Sequence, residues 1–261
     1  MTTMTTTTAQ TYPLQRERNL ILGLLLVLAA AAWAILIWQS QMMDDEDMGL
    51  TMGMNAPLFI AIWAAMMVAI MFPTAAPMIL TFARVQTNRR ERGRAFVPTW
   101  LFVSSYLSLW IASGVLAYVA ASLGDSLAED WMWLMDNASR IGGVVLVLAA
   151  IYQLSPLKTA CLGKCRTPMS FILGSWRDGH RGAVRMGLEH GVYCFGCCWL
   201  LFAILFPLGM MNVAAMALIT LLIFAEKSLA IGPIAAKGAA IGLVVYGTVV
   251  IAVPAALPSM M

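Results

Sequence analysis

Long apolar segments dominate this chain of 261 residues, and they constrain its fold more than any other feature. Several run for roughly 20 residues, the length of α-helix that crosses a hydrocarbon core roughly 30 Å thick. Hydrophobic residues make up 61% of the chain and charged residues only 11%, which excludes an ordinary soluble domain. We therefore predict an all-α fold, a polytopic transmembrane helical bundle. The predicted spans lie at about 19–38, 57–82, 98–121, 141–157, 187–206, 209–226 and 236–256.

The number of spans depends on one turn. Pro207 and Gly209 interrupt the apolar block that holds the fifth and sixth predicted spans, and both residue types break helices. With a turn there the chain has seven spans, and without it six. Residues 1–18 are Thr-rich and predict a disordered tail, which leaves residues 19–261 as a single transmembrane domain. The first span is longer than the core of a secretory signal, so we interpret it as a retained anchor; the alternative is cleavage near the alanine run at 29–34.

The basic residues give the predicted bundle an orientation. With seven spans, all 16 Lys and Arg residues except Arg140 fall on the same side as the N-terminus. Basic residues concentrate on the cytoplasmic side of membrane proteins. We therefore expect a cytoplasmic N-terminus, an external C-terminus and all five cysteines at the cytoplasmic face.

The five cysteines lie in two short clusters at the ends of adjacent predicted spans, where they can converge. In the first cluster, Cys161 and Cys165 share one helix face if the fourth span continues past Pro156 or a short helix follows it. In the second cluster, the spacing i, i+4, i+7, i+8 confines four residues to a helical stripe about 100° wide. Those four residues are His190, Cys194, Cys197 and Cys198.

Converging thiols are typical of sites for soft metals. Thiolates suit Cu(I), Zn(II) and iron–sulfur clusters. The basic neighbours Lys158, Lys164 and Arg166 are expected to favour the thiolate form. The cytoplasm keeps thiols reduced, which argues against structural disulfides. The alternative interpretation is that the cysteines are small apolar residues buried for packing.

The 20 methionines are also grouped. Thioether is a soft, neutral ligand for Cu(I), and Met67 and Met71 lie four residues apart in the second predicted span, on one side of a helix. They are candidate ligands, and the alternative is that they fill the bundle interior. Five more methionines, interleaved with acidic residues outside the predicted membrane, form a candidate metal-capture loop. These are Met42, Met43, Met48, Met52 and Met54.

Two acidic residues near the predicted spans are further candidates. Glu226 ends the sixth span, where an acid is a functional candidate by default, and the alternative is a pair with Lys227 that reaches the membrane interface. Glu189 precedes His190 and is a candidate to orient its ring.

Three strings carry a resemblance to a known family: YQLSPLK at 152–158, followed by Cys161 and Cys165, GLEHGVYCFGCCW at 187–199, and MMN at 210–212. With the Met and Pro pattern of residues 65–77, they are similar to a bacterial family of predicted metal-binding integral membrane proteins. It is a domain-of-unknown-function family whose members are sometimes labelled copper chaperones. The resemblance covers most of residues 57–228 and implies metal binding by the five cysteines. We expect the protein to lie in a bacterial inner membrane.

These observations predict a membrane protein that handles a soft metal, with Cu(I) as the first candidate and Zn(II) as the second. Transport, delivery to a metallochaperone or cuproenzyme, and sequestration all stay open. The chain has no phosphate-binding glycine loop, serine-hydrolase elbow or HExxH motif, and we do not predict an enzyme. Without an ATPase signature, any transport is expected to be passive or gradient-driven. The expected partners are the metal ion and the lipid bilayer, and no nucleic acid. Two alternatives are a thiol oxidoreductase that passes electrons to a quinone and an assembly factor that uses the thiols structurally.

Overall fold

Helices form the fold in the computed structural model, which describes residues 8–42, 49–93 and 96–257. No strand occurs within those ranges, and the predicted all-α fold is confirmed. The helices there are α1 Thr8–Ser40, α2 Ala56–Glu91, α3 Thr99–Asp130, α4 Met132–Asp136, α5 Ala138–Gln153, α6 Pro156–Arg166, α7 Pro168–Gly174, α8 Gly179–Ala203, α9 Leu205–Leu208, α10 Val213–Ser228 and α11 Gly232–Ala252, followed by a 3-10 helix at Pro254–Ala256.

Five helical segments in the described part of the chain are long and apolar enough to cross a membrane. A sixth candidate is the pair of α5 and α6, which meet at a bend of 63°. The fourth and sixth predicted spans correspond to α5 and α10, which have 16 residues each. That is shorter than the roughly 20 residues a span needs, so the count of seven and the cytoplasmic N-terminus stay predictions. The five segments are Gln15–Ser40, Ala56–Glu91, Thr99–Asp130, Gly179–Leu208 and Gly232–Ala252.

The predicted turn in the long apolar block is present. After α8, the four-residue α9 carries Pro207, and Gly209 adopts a positive φ of 87°. Glycine tolerates this conformation because it has no Cβ atom. The side chain of Asn212 then accepts a hydrogen bond from the backbone N–H of Ala215 at 3.0 Å, which caps the start of α10.

Helix α1 begins within the predicted disordered tail, residues 1–18. Residues 8–18 are helical and belong to α1, whereas residues 1–7 lie outside the described residues. The carboxylate of Glu17 accepts a hydrogen bond from the hydroxyl of Thr87 at 2.7 Å and pairs with Arg90. These contacts join the start of α1 to the end of α2.

Helix α2 lies at the centre of the bundle, where it packs against α1, α3, α7 and α10. Its apolar part is hydrophobic all round and largely buried, as expected of a helix in the interior of a bundle. The helix continues through Pro73 and Pro77, although each removes a backbone donor. Its side chains at Met67 and Met71 are completely buried. Two thioether groups therefore lie in the bundle interior.

Small residues let other helices approach closely. A Cβ atom on Gly187 of α8 would lie 2.5 Å from the backbone carbonyl oxygen of Phe102 in α3. A Cβ atom on Gly143 of α5 would lie 2.9 Å from the carbonyl oxygen of Gly247 in α11. Glycine at such contacts is typical of tightly packed helices. The contact at Gly187 positions α8, the helix that carries four of the predicted ligands.

Candidate metal centre

The bend between α5 and α6 turns the first cysteine cluster towards the second. Pro156 disfavours helical backbone at the residue before it, so α5 stops and Ser155 starts a new helix. The side chain of Ser155 accepts a hydrogen bond from the backbone N–H of Lys158 at 3.1 Å, which caps α6. Of the two alternatives, a continuing fourth span or a short helix after Pro156, the structure has the short helix, and it packs against α8.

The two cysteine clusters meet through Cys165. This residue is 9% exposed, and its thiol lies close enough to interact with the thiols of Cys194 and Cys197 on α8. Cys161 lies apart, partly exposed at the edge of the α6–α8 contact. A Cβ atom on the facing Gly196 would be 2.8 Å from its sulfur. The predicted meeting of the clusters thus involves four thiols, with Cys161 beside them.

Helix α8 presents the second cluster as the predicted buried stripe. Cys194, Cys197 and Cys198 are each at most 1% exposed. The sulfurs of Cys197 and Cys198 are 3.2 Å apart, and the thiol of Cys197 donates to the backbone carbonyl of Cys194 at 3.1 Å. All five cysteines are free thiols in the structure. We call Cys165, Cys194, Cys197 and Cys198 the thiol cluster.

One of the two predicted methionine ligands contacts the thiol cluster. The Sδ atom of Met71 lies 3.8 Å from the Sγ atom of Cys194. Met67 lies one turn earlier in α2 and is completely buried, and its role as a ligand stays a prediction. The contact adds a thioether from α2 to the thiols from α6 and α8.

A buried lysine and a buried tyrosine also reach Cys194. The ammonium of Lys227 in α10 donates to the Cys194 sulfur at 3.0 Å, and the hydroxyl of Tyr106 in α3 lies 3.1 Å from the same atom. Sequence reasoning missed Tyr106 and named Lys227 only as an alternative partner of Glu226 at the membrane interface. A signal for Lys227 was available, because a cation at the end of an apolar helix usually has a buried partner or a function. Its positive charge stabilises an anionic thiolate, which is the form that binds metal.

Lys158 has a different partner from the one predicted. Its ammonium forms an ion pair with the carboxylate of Glu226 at 2.7 Å and donates to the side chain of Gln153, which in turn donates to Glu226 at 2.6 Å. Lys158 and Glu226 are each 1% exposed. The expectation that Lys158 supports a thiolate is therefore wrong, since its charge is compensated by a carboxylate. An interfacial pair of Glu226 with Lys227 is also wrong, because these neighbours point to different buried partners.

His190 is buried in the same stripe of α8, and neither of its ring nitrogens has a hydrogen-bond partner. Its ring stacks on Tyr106 and Phe102, with centroids 5.2 and 6.0 Å apart. The sequence predicts Glu189 as the group that orients this ring, and the structure contradicts it. The carboxylate of Glu189 pairs instead with Arg185 at 3.0 Å. Two unpartnered buried nitrogens point to a ligand, an ion or water that completes the site.

The thiol cluster is closely packed rather than open around a central point. Within the part of the chain that the structure describes, no group of three or more His, Cys, Asp or Glu side chains is arranged to hold a metal ion. The thiols interact with one another, with Tyr106 and with Lys227 instead. Because thiol ligands bind metal in the deprotonated form, metal binding here requires the thiols to lose protons. Because the side chains are not arranged around a metal position, they must also move.

The predicted outer methionine loop is described only in part. Met43 and Met48 lie outside the described residues. Met42 is exposed, whereas Met54 is buried against the core. Metal capture by this loop stays a prediction.

The described end of that loop is fixed to α3. The carboxylate of Asp125 accepts backbone hydrogen bonds from Leu50 at 2.6 Å and from Thr51 at 3.0 Å. Asp125 and Tyr106 lie in the same helix, and the 1.5 Å rise per residue separates them by roughly 30 Å. The loop and the thiol cluster are therefore at opposite ends of α3.

Comparison with known proteins identifies the family of this chain. The sequence pattern of the PpoB2 family, described as a copper chaperone, matches residues 60–250. The matched range contains the thiol cluster, Met71 and Lys227. No match is found among curated proteins or among solved structures. The chain belongs to the PpoB2 family, and the resemblance inferred from its cysteine strings is confirmed.

Proposed function

We propose that this member of the PpoB2 family is a membrane protein that binds Cu(I) with sulfur ligands and passes it on by ligand exchange. The proposal rests on the convergence of four thiols and one thioether from α2, α6 and α8 in the bundle interior. Thiolate and thioether are soft ligands of the kind that selects Cu(I). The family description and the apolar helices support a copper role and a membrane location.

Copper fits this donor set better than zinc. Structural zinc sites use Cys, His, Asp and Glu ligands in a tetrahedron, and thioether is not among them, whereas the Met71 thioether lies beside the Cys194 thiol here. Cu(I) accepts thioether as well as thiolate. Cys194 and Met71, whose sulfurs are 3.8 Å apart, offer it two of these ligands after a small movement, and a neighbouring thiol offers the third.

Lys227 supplies the charge that such a site needs. Cu(I) held by two thiolates carries one net negative charge, which is costly to bury without compensation. The Lys227 ammonium is 3.0 Å from the Cys194 sulfur and 3.8 Å from the Met71 sulfur. An adjacent cation therefore offsets the charge of the copper–thiolate complex and favours its formation.

The short distances between the thiols favour the exchange of copper from one sulfur ligand to another. With the sulfurs of Cys197 and Cys198 3.2 Å apart, a copper ion can form a new bond before an old one breaks. Delivery to, or collection from, a second copper protein is thus favoured over sequestration. Transport across the bilayer is the alternative, and uptake of copper into sealed proteoliposomes distinguishes it from exchange.

Anaerobic binding measurements test the proposal. The detergent-purified protein is expected to bind Cu(I) in competition with a chromophoric Cu(I) chelator, and Zn(II) more weakly. Changing all four residues of the thiol cluster to Ser should abolish tight binding. The Cys161→Ser variant is the matched control, because Cys161 lies outside the cluster, and it should retain most of the affinity.

Two results would contradict the proposal. One is an intact protein that binds Cu(I) no more tightly than the fourfold Ser variant. The other is a preference for Zn(II) over Cu(I), which would identify the metal as zinc.

A thiol oxidoreductase is the second candidate, and the 3.2 Å contact between Cys197 and Cys198 favours it. Two thiols would form a disulfide, with two electrons and two protons passing to a quinone. An anaerobic redox titration with a soluble quinone separates the functions. A reversible two-electron couple at these two thiols, with no Cu(I) binding, would replace the copper proposal.

A further inference from the structure

A cavity of about 160 Å³ lies beside the thiol cluster, bounded by α2, α6, α7, α8 and α10. The buried residues Cys165, His190 and Lys227 line it, and the half-exposed Arg166 and exposed Ser228 lie at its outer part. We call it the access cavity. An apolar cavity of roughly 150 Å³ is large enough to hold benzene, so this space accepts a small ligand or the reacting end of a larger one.

Of the four cluster thiols, Cys165 is the one that lines the access cavity. The other three are at most 1% exposed and lie deeper. A metal that arrives through the cavity therefore meets Cys165 before it meets Cys194, Cys197 or Cys198.

His190 gives an independent sign that the cavity holds a ligand. The residue is 2% exposed and lines the cavity, and both of its ring nitrogens are without a hydrogen-bond partner. Its ring is held in place by stacking on Tyr106. A fixed, buried and unpartnered imidazole beside an open space is completed by whatever occupies that space.

The charges around the cavity favour an anion. Lys227 and Arg166 line it, and no carboxylate is among its lining residues in the described part of the chain. The adjacent acid, Glu226, is turned to Lys158. Lys227 is held at Cys194, and Arg166 donates to the backbone carbonyls of Glu226 and Leu229, so both cations are fixed in position.

We propose that the access cavity receives Cu(I) as an anionic complex with two small thiolates, and that Cys165 takes the metal from this carrier. The inference rests on the proposed function and names the form in which copper arrives. The thiol of Cys165 gives its proton to one carrier sulfur, which leaves as a neutral thiol while the sulfur of Cys165 bonds to copper. Copper remains Cu(I) and the net charge of the complex is unchanged. Exchange with Cys194 then releases the second carrier thiol in the same way.

Transfer kinetics test this route with the full-length protein in detergent. Cu(I) is supplied as a preformed complex with glutathione, an anionic thiol, or as its acetonitrile complex, which carries no thiolate. The Ser228→Trp variant narrows the outer part of the cavity at an exposed position. The matched control is Ser126→Trp, an exposed position of α3 far from the site.

The Ser228→Trp variant is expected to slow transfer from the glutathione complex by about tenfold or more, because access limits association. Its equilibrium affinity for Cu(I) should match that of the intact protein, and the Ser126→Trp variant should behave like the intact protein in both assays. The Cys165→Ser variant should also slow transfer from glutathione, because the first exchanging thiol is lost. Raising the salt concentration should slow transfer from the glutathione complex to the intact protein, since salt screens the attraction of Lys227 and Arg166 for the anionic carrier.

Wild-type transfer rates in both the Ser228→Trp and the Cys165→Ser variants would overturn the route while leaving copper binding intact. Faster transfer from the acetonitrile complex than from the glutathione complex, at equal copper concentration, would overturn the anionic carrier. Failure of the intact protein to bind Cu(I) from either source would instead overturn the proposed function itself.

Discussion

The ammonium of Lys227 lies 3.0 Å from the thiol sulfur of Cys194, and both residues are buried in the bundle. The preceding residue in α10, Glu226, points away from this contact and pairs with Lys158 of α6. Two consecutive residues at the end of α10 therefore have different partners and different roles. Lys227 supplies positive charge to the thiol cluster, and Glu226 anchors the helix that carries Cys165.

Removing the charge of Lys227 should weaken copper binding. The Lys227→Met change keeps the length of the side chain but removes the cation beside Cys194. We expect the affinity for Cu(I) to fall by about 10- to 100-fold, the usual loss when a group that supports a metal ligand is removed. The measurement is chelator competition under anaerobic conditions. Lys237→Met, at an exposed position of α11, is the control and should bind normally; equal affinities of the two variants would show that Lys227 has no such role.

Replacing Met71 by Leu should separate ligation from packing. The two side chains have similar volume, so the change should cost less than about 1.5 kcal/mol of stability. The affinity for Cu(I) should fall because the thioether next to Cys194 is lost. Met66→Leu, in the same buried helix, is the control for packing. If Met71→Leu and Met66→Leu bind Cu(I) equally well, the thioether of Met71 is not a ligand.

A single substitution that breaks the buried pair of Lys158 and Glu226 should destabilise the protein more than a double substitution that removes both charges. Either Lys158→Met or Glu226→Leu leaves one uncompensated buried charge, at a cost of about 3–5 kcal/mol. The double variant removes both charges and should recover much of that loss. Unfolding in a denaturing detergent, followed by circular dichroism, measures these differences. Additive losses in the double variant would mean that the two side chains do not act as a pair.

The contact at Gly187 should be sensitive to a single added carbon. A Cβ atom there would lie 2.5 Å from the backbone carbonyl oxygen of Phe102, so Gly187→Ala must push α8 away from α3. We expect lower thermal stability and weaker Cu(I) binding, because α8 carries three of the thiols. Gly242→Ala in α11 is the control, since nothing lies within 4 Å of its Cβ position. That change should be neutral or stabilising by up to about 1 kcal/mol, as expected inside a helix. Equal melting temperatures of the two variants would show that close packing of α8 on α3 does not require glycine at position 187.

Much of the helical framework follows from the sequence, because apolar length and proline position act locally. The break after Gln153 follows from Pro156, and the interruption of the long apolar block follows from Pro207 and Gly209. The buried stripe from His190 to Cys198 follows from helical spacing alone. Periodicity does not fix how many of these helices cross a membrane.

The partners of the charged residues could not be predicted in this way. Sequence spacing places Glu226 and Lys227 side by side, but the rotation of α10 against α6 and α8 decides that one meets Lys158 and the other Cys194. The same holds for Glu189, which lies next to His190 in sequence and on a different face of α8. Such contacts depend on tertiary packing, which a single sequence does not encode locally.

Copper K-edge X-ray absorption on the anaerobically purified, copper-loaded protein tests the central claim most directly. The account predicts a first shell of sulfur atoms alone in the intact protein, and loss of bound Cu(I) when Cys165, Cys194, Cys197 and Cys198 are changed to Ser. A first shell dominated by nitrogen or oxygen, or an unchanged spectrum in the fourfold variant, would contradict it.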